Sequence, residues 1–203
     1  MDMIADADAL RAHFGPVSLL AEKKQLDRLD AHCRAFIALS PFLVLATADG
    51  AGGVDASPRG DAPGFVKVLD DFSLLLPDRP GNRRVDSFSN VVAHPGVGLL
   101  FFVPGIDETV RVNGTARVIT DTDLLAEVPA QGKVPVTGLL VTVTEAFYHC
   151  AKALIRSHLW DPATRIERST FPTLGKIITD QTRAMPVAEA DASIAEAYRS
   201  KLY

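Results

Sequence analysis

Three arginines lie close together in a turn that proline and glycine stiffen, the arginine turn Pro-Asp-Arg-Pro-Gly-Asn-Arg-Arg at residues 77–84. The apolar residues 74–76 before it predict a buried strand, and the helical spacing of apolar residues over 85–92 predicts an amphipathic helix. Free N–H groups at a helix start favour an anion, and a guanidinium matches phosphate oxygens in a planar fork. The turn therefore predicts a phosphate site. The alternative is a solvated basic turn that pairs with Asp78 and Asp86.

A second polar group precedes the arginine turn in the chain. The turn signal Asp49-Gly50 predicts a hairpin that leads into a strand over residues 54–59. Because side chains alternate along a strand, Asp55, Ser57 and Arg59 are expected to share one face.

A third pattern lies near the end of the chain, where Lys152, Arg156 and Trp160 recur at intervals of four residues. On a helix this spacing makes one stripe, in which two cations and an aromatic ring suit a flat or anionic substrate. The alternative is a solvated helix face whose tryptophan packs into the core.

Cysteine and histidine patterns disfavour a metal site. Cys33 and Cys150 are far apart, and the five histidines form neither His-x-x-x-His nor His-Glu-x-x-His. The chain also has no Gly-x-Gly-x-x-Gly, no Gly-Lys-Ser/Thr of the P-loop type and no Gly-x-Ser-x-Gly. A phosphate ligand is therefore expected to bind through a device other than a Rossmann or P-loop motif, and no metal is expected.

Composition places the chain among ordinary globular proteins. It has 203 residues, of which 47% are hydrophobic and 23% are charged, which suits a single domain over 1–203. The net charge of -4 does not indicate the positively charged surface that is typical of nucleic-acid-binding proteins. Residues 1–10 lack the apolar segment of a signal peptide, and the apolar runs are too short for a bilayer. We expect a cytoplasmic protein without a nucleic-acid or membrane partner.

The elements that position these residues run from helix to strands and back to helix. An apolar stripe predicts one covering helix over 18–39, begun by Ser18 and ended at Ser40-Pro41, within a helical cover over 1–40. A helical extension follows over 148–203. Further strands are expected at residues 42–47, 65–69, 72–76, 97–103, 109–118 and 136–147. At least six strands with short turns predict a mainly β (α+β) fold built on a small antiparallel barrel.

The strand over 109–118 alternates clearly. Val110 and Val112 are expected to face the core, and Thr109 and Arg111 are expected to face solvent or a ligand. Gly114 interrupts the pattern and indicates a bend or bulge.

This order of motifs resembles the pyridoxamine 5'-phosphate oxidase-related FMN-binding split-barrel family over about residues 42–119. The segments that carry the resemblance are 57–61, 77–84, 95–101 and 108–114. The resemblance implies a six-or-more-stranded antiparallel split barrel with flanking helices. It also implies FMN as the cofactor and a homodimer with the flavin at its interface.

The resemblance also implies roles for individual residues. Asn82, Arg83 and Arg84 take the place of the triplet that grips the FMN phosphate, and Pro77 and Asp78 run past the flavin. The remaining cofactor contacts implied are Ser57, Arg59, Lys67 and Thr109. Arg111 is a further candidate contact because it shares the polar face of its strand with Thr109. The oxidase's substrate-binding arginine region is not recognisable near Trp160, so oxidation of pyridoxamine phosphate itself is not implied.

The function expected is that of an FMN-dependent oxidoreductase acting on a small molecule, in which the flavin carries the hydride or electrons. No catalytic side chain is assigned. One alternative is a non-catalytic flavin-binding or flavin-storing protein. Another is a split barrel that binds deazaflavin or haem, with His94 or His149 as the haem ligand.

Overall fold

Seven strands form one antiparallel sheet in this computed structural model, which describes residue 1 and residues 3–203. In chain order they are β1 Phe42–Ala48, β2 Val54–Gly60, β3 Lys67–Asp70, β4 Ser73–Pro77, β5 Gly96–Val103, β6 Ile106–Ile119 and β7 Gly138–His149. They lie side by side in the order β2-β1-β5-β6-β7-β4-β3. The predicted fold class, a mainly β (α+β) antiparallel split barrel with flanking helices, is confirmed.

The long strands β6 and β7 join the two halves of the sheet through a bulge. Their register shifts between Asn113 and Gly114. A Cβ atom at position 114 would overlap the carbonyl oxygen of Thr142, so only glycine allows the strands to approach this closely. The predicted bulge is therefore confirmed.

The core lies against the inner face of the sheet. Val110 and Val112 of β6 are fully buried, as their alternation predicts. Leu43 and Leu45 of β1 and Leu99 of β5 are buried on the same side. This packing holds β1, β5 and β6 together, and β1 in turn pairs with β2, the strand that carries Asp55, Ser57 and Arg59.

Eight helices flank the sheet in the described part of the chain. They are α1 Ala7–Phe14, α2 Leu19–Lys23, α3 Ala31–Leu39, α4 Asp86–Ala93, α5 Thr122–Leu125, α6 Lys152–Ser157, α7 Leu174–Thr182 and α8 Val187–Ser200. α7 and α8 pack closely, because Gly175 leaves room for the Asp191 carboxylate that accepts its N–H at 3.1 Å. None of these helices is both long and apolar enough to cross a membrane.

The expectation of one helix over 18–39 is wrong. Leu26 forms a bridge with Ala146 of β7, accepting from and donating to its main chain at 2.8 and 3.0 Å. Asp30 then caps α3 by accepting the N–H of Cys33 at 2.8 Å. Strand pairing with a distant residue therefore replaces the middle of the helix. The ends are as expected, since Ser18 caps α2 and Ser40 follows α3.

Candidate functional site

A cavity of about 900 Å³ lies between β2, the arginine turn and the residues that follow α8. One wall is the polar face of β2, where Asp55, Ser57 and Arg59 line the cavity together as the alternation predicts. The arginine turn forms a second wall from Asp78 onward, and residues 133–136 form a third. The sequence-predicted phosphate turn and the predicted polar strand face therefore meet in one cavity.

The hydroxyl of Ser87, in the first turn of α4, organises the polar face of β2. It donates to the Asp55 carboxylate at 2.5 Å. Because a serine hydroxyl has one proton, Ser87 must then accept from the Ser57 hydroxyl at 2.9 Å and from the Arg59 guanidinium at 3.1 Å. This buried centre fixes the orientation of both side chains toward the cavity.

Arg59 retains hydrogen-bonding capacity at the middle of the cavity. One of its terminal nitrogens lies 3.8 Å from the Asp78 carboxylate, and its guanidinium lies 5.9 Å from the centre of the Phe88 ring. Its Nε is buried and has no hydrogen-bond partner in the described residues. The terminal nitrogen beside Asp78 is beyond hydrogen-bond distance of that carboxylate, so its N–H groups suit a ligand with a carbonyl or anionic oxygen.

Burial raises the pKa of the Asp78 carboxyl, and the charge of Arg59 opposes that rise without cancelling it. The main-chain N–H of Asp78 donates a hydrogen bond to the Thr137 carbonyl at 3.0 Å. The main chain at the start of the arginine turn is thereby pinned to the neighbouring segment.

The end of the arginine turn presents its side chains to the cavity through an unusual backbone. Arg83 has φ 60° and Val85 has φ 52°, both in the left-handed region that costs free energy for residues other than glycine. The Asn82 side chain accepts the N–H of Arg84 at 3.1 Å, and the Arg84 Nε donates to Asp86 at 2.8 Å. In the described chain the Arg83 guanidinium has no hydrogen bond or ion pair, so it is free for an anion.

Arg79, the remaining arginine of the turn, makes its hydrogen bonds to other residues of the protein. The Arg79 Nε donates to Asp61 at 2.6 Å, and a terminal nitrogen donates to the Val128 carbonyl at 3.1 Å. This side chain is only 16% exposed. Two guanidiniums, those of Arg83 and Arg84, therefore remain of the three that the sequence places together. They stand on the turn itself, because α4 begins only at Asp86.

Several predicted cofactor contacts lie outside this cavity. Lys67 on β3 pairs with Glu127, its Nζ lying 2.7 Å from the carboxylate. Pro77 is buried at the end of β4, opposite Gly138. Thr109 and Arg111 lie on β6, which β1 and β5 separate from β2. A single chain thus brings together Ser57, Arg59, Asp78, Asn82, Arg83 and Arg84 at the cavity.

Arg111 belongs to a separate polar cluster on β6 and β7, outside the cavity. It donates to the Glu145 carboxylate at 3.2 Å and lies 4.4 Å from the centre of the Phe147 ring. Its Nε is buried without a partner in the described residues. Burial, reinforced by the charges of Arg111 and Lys24, lowers the pKa of His149. Thr109 is only 4% exposed. Within a single chain its side chain is therefore buried and does not face solvent or a ligand as expected.

The expected helical stripe of Lys152, Arg156 and Trp160 does not form. α6 ends at Ser157, and His158 adopts a left-handed conformation that terminates the helix. The indole N–H of Trp160 donates to the carbonyl of Ile106 at 2.9 Å. Trp160 is half-buried and is joined to β6 by this hydrogen bond, whereas the alternative interpretation expects it in the core, and Lys152 and Arg156 stay exposed.

Sequence reasoning missed Ser87, Lys133 and Tyr203, which also line the cavity. Serine is common at the start of a helix because it can hydrogen-bond the nearby main chain. The sequence around Ser87 therefore gives no signal that its hydroxyl contacts β2. Tyr203 comes from the other end of the chain. No group of three or more His, Cys, Asp or Glu side chains that could hold a metal is found within residues 1 and 3–203.

Comparison with known proteins gives one match to a protein family. Residues 29–150, more than half of the chain, match the family model described as pyridoxamine 5'-phosphate oxidase. Among curated proteins, none matches the chain significantly.

Three solved structures are similar to parts of this chain. A Lactobacillus delbrueckii protein named for pyridoxamine 5'-phosphate oxidase is 25% identical, with 61% of this chain and 98% of that chain covered and a TM-score of 0.48. An FMN-binding protein from Syntrophomonas wolfei is 12% identical, with 58% and 83% covered and a TM-score of 0.47. The FAD binding protein from Mycobacterium smegmatis is 18% identical, with 61% and 97% covered and a TM-score of 0.43.

Proposed function

Because this chain belongs to the pyridoxamine 5'-phosphate oxidase family, we propose that it is an FMN-binding flavoprotein and an oxidoreductase that acts on a small molecule. One observation supports this most directly: the free guanidinium of Arg83 and the fixed polar side chains of Ser57 and Arg59 line the same cavity. A phosphate and a flat polar ring are the two parts of FMN that such a cavity suits.

In this proposal the end of the arginine turn holds the phosphate. Arg83 supplies a guanidinium with no competing partner in the described chain. Arg84 supplies a second one that Asp86 partly neutralises through its Nε. Two guanidiniums balance the double negative charge of a phosphate monoester, and their planar forks match its oxygens.

The polar face of β2 holds the ring in the same proposal. Ser87 and Asp55 keep Ser57 and Arg59 in place, so these two side chains need little reordering when a ligand binds. Arg59 has unused N–H groups for the carbonyl oxygens of the ring. Bound FMN supplies hydride or electron transfer, whereas the chain binds the cofactor, orients it and limits the access of water.

We further propose a homodimer in which a second copy completes the flavin site, as the family resemblance implies. Support comes from β6, where the Arg111 side chain is 40% exposed and is separated from β2 of its own chain by β1 and β5. In a dimer the Arg111 of one copy can serve the cavity of the other. We place this protein in the cytoplasm, as its sequence leads us to expect.

The experiment that tests the flavin proposal is a fluorescence titration of the purified full chain with FMN and with riboflavin. We expect FMN to bind at least tenfold more tightly, because riboflavin lacks the phosphate. An absorption spectrum with and without NADPH then separates the possible activities. A flavin band that bleaches supports an oxidoreductase, and one that does not bleach supports a flavin-binding or storage protein. A haem band, or no flavin binding at all, contradicts the proposal.

Subunit mixing tests the dimer. Arg83→Ala and Arg111→Ala are each expected to weaken FMN binding, and co-expression of the two variants gives mixed dimers. If each site joins Arg83 of one copy to Arg111 of the other, every mixed dimer regains one intact site. If mixing restores no tight site in mixed dimers isolated through a different affinity tag on each variant, the shared site is wrong.

A further inference from the structure

Residues 3–23, here called the N-terminal arm, form α1 and α2 but pack against little of their own chain. Neither helix contains a buried residue. Gly15 alone in the arm is even partly buried. The hydrogen bonds of the arm in the described chain are local: the Asp6 carboxylate accepts from the Ala9 N–H at 2.8 Å, and Arg11 donates to the Gly15 carbonyl at 2.7 Å. The two helices therefore lie on the outside of a single chain.

Apolar side chains follow one side of α1 and continue into α2. Leu10 and Phe14 are four residues apart, so they lie on one stripe of α1, and Phe14 is 72% exposed. Val17, Leu19 and Leu20 follow in the chain and are exposed as well. Most of the stability of a short helix comes from packing its apolar stripe against another element. The arm therefore needs a surface that its own chain does not supply.

The surface area of the whole chain also indicates a missing partner. The chain exposes 13394 Å², whereas a compact monomer of its mass, 21.8 kDa, exposes about 9,300 Å². The excess is roughly 4,000 Å². Stable homodimers bury about 2,000–5,000 Å² in total, half of it from each copy. The excess therefore exceeds the share that one copy contributes to a stable dimer.

The arm leaves the rest of the protein beside Arg111. The Lys24 Nζ, directly after the arm, donates to the Tyr148 carbonyl at 2.6 Å. The next residue, Gln25, donates to the Glu145 carboxylate, which also accepts from Arg111 at 3.2 Å. The proposed dimer brings Arg111 of one copy to the other copy. Because the same carboxylate contacts Arg111 and Gln25, the arm begins at the edge of that proposed interface.

We infer that the N-terminal arm of each copy packs its apolar stripe on the other copy and extends the dimer interface beyond the sheet. The inference rests on the homodimer of the proposed function. A lipid surface suits the arm less well, because helices that lie on membranes carry mainly lysine and arginine on their polar face. α1 instead begins with Asp6 and Asp8 and carries one arginine, Arg11.

Photocrosslinking of the purified full chain tests whether the arm touches a second copy. Phe14→p-benzoylphenylalanine places a reactive group on the stripe, and the same substitution at Val92 is the matched control, since Val92 on α4 is 77% exposed. After irradiation, a denaturing gel should show a covalent dimer from position 14 at a yield at least fivefold above that from position 92. Equal yields, or a monomer band alone from position 14, would overturn the inference.

Sedimentation equilibrium measures the contribution of the stripe to association. The double variant Leu10→Ser and Phe14→Ser should raise the dimer dissociation constant at least tenfold, because two large apolar side chains lose their burial in the dimer. Val92→Ser should change that constant by less than about twofold. Both positions of the double variant are exposed in one chain, so its fold should be retained. An unchanged dissociation constant in the double variant would contradict the inference.

The remaining outcomes separate this inference from the proposals on which it rests. FMN titration of the wild type tests the flavin site, and sedimentation of the wild type tests the dimer. A wild type that sediments as a monomer rejects the dimer and the arm contact together, whether or not it binds FMN. If vesicles of phosphatidylcholine and phosphatidylglycerol bind the wild type but not the double variant, the stripe is a membrane contact and the inference is wrong.

Discussion

Ser87 donates its hydroxyl proton to Asp55 across 2.5 Å, and this one hydrogen bond joins the start of α4 to β2 beneath the cavity. Ser87 is 2% exposed, so neither partner can exchange the contact freely for water. The same oxygen accepts from Ser57 and Arg59. A single buried hydroxyl therefore couples helix position, strand position and the orientation of two proposed cofactor contacts.

Replacing Ser87 by alanine should lower both stability and flavin affinity. The Asp55 carboxylate loses a donor while it stays half-buried, which costs about 1–3 kcal/mol in the free energy of unfolding. Urea unfolding measures that loss, and FMN titration at a temperature where the variant is folded measures the affinity. Ser89→Ala on the exposed side of α4 is the control. Equal stability of the two variants would contradict a central role for the Ser87 hydroxyl.

Replacing Arg83 by alanine should weaken FMN binding by roughly 1.5–3 kcal/mol, the range for a hydrogen bond to a charged group. Arg84→Ala should have a smaller effect, because Asp86 already engages the Arg84 Nε. Riboflavin binding should barely change in either variant. Arg165→Ala, at an exposed position away from the cavity, controls for net charge. If FMN and riboflavin are weakened equally by Arg83→Ala, the phosphate does not lie at this turn.

Replacing Asp78 by asparagine should change how stability depends on pH. Burial raises the pKa of Asp78 in the folded protein above its ordinary value of 3.8, with Arg59 opposing. The folded state therefore binds this proton more tightly than the unfolded state, so the carboxyl favours folding at acid pH and loses that contribution as the pH rises through its folded pKa.

The difference in unfolding free energy between Asp78→Asn and the wild type isolates this effect from the other carboxyls. It should grow in favour of the variant as the pH rises from about 4 toward neutrality and then level off. Thermal or urea unfolding at a series of pH values measures it. A difference that shrinks as the pH rises would mean that the ion pair with Arg59 outweighs burial.

Replacing Val112 by alanine should destabilise the sheet without touching the cavity. Val112 is fully buried on β6, and removing two methyl groups there leaves a void that costs about 1–3 kcal/mol in the free energy of unfolding. Val54→Ala at the start of β2, where the side chain is 84% exposed, should change that free energy by less than about 0.5 kcal/mol. Similar losses in both variants would place the core elsewhere.

Local patterns in the sequence were sufficient for the strands and for the polar wall of the cavity. Alternation along residues 54–59 places Ser57 and Arg59 on one face, because side-chain direction in a strand depends only on position parity. Gly114 predicts the bulge because a larger residue would meet the neighbouring strand. The arginine turn is predicted by its own composition. Its sequence nevertheless does not reveal that Arg79 forms an ion pair with Asp61 and so is not available to a ligand.

Only the tertiary structure decided which of these residues work together. Leu26 leaves the predicted helix because Ala146 of β7 offers it a strand partner. The adjacent pair, Gln25 and Glu145, is 120 residues apart in the chain. Tyr203 reaches Asp61 across 142 residues. Ser87 gains its role from Asp55 on another element. Contacts of this kind depend on how elements dock, and docking minimises the free energy of the whole chain, so no local pattern in the sequence records them.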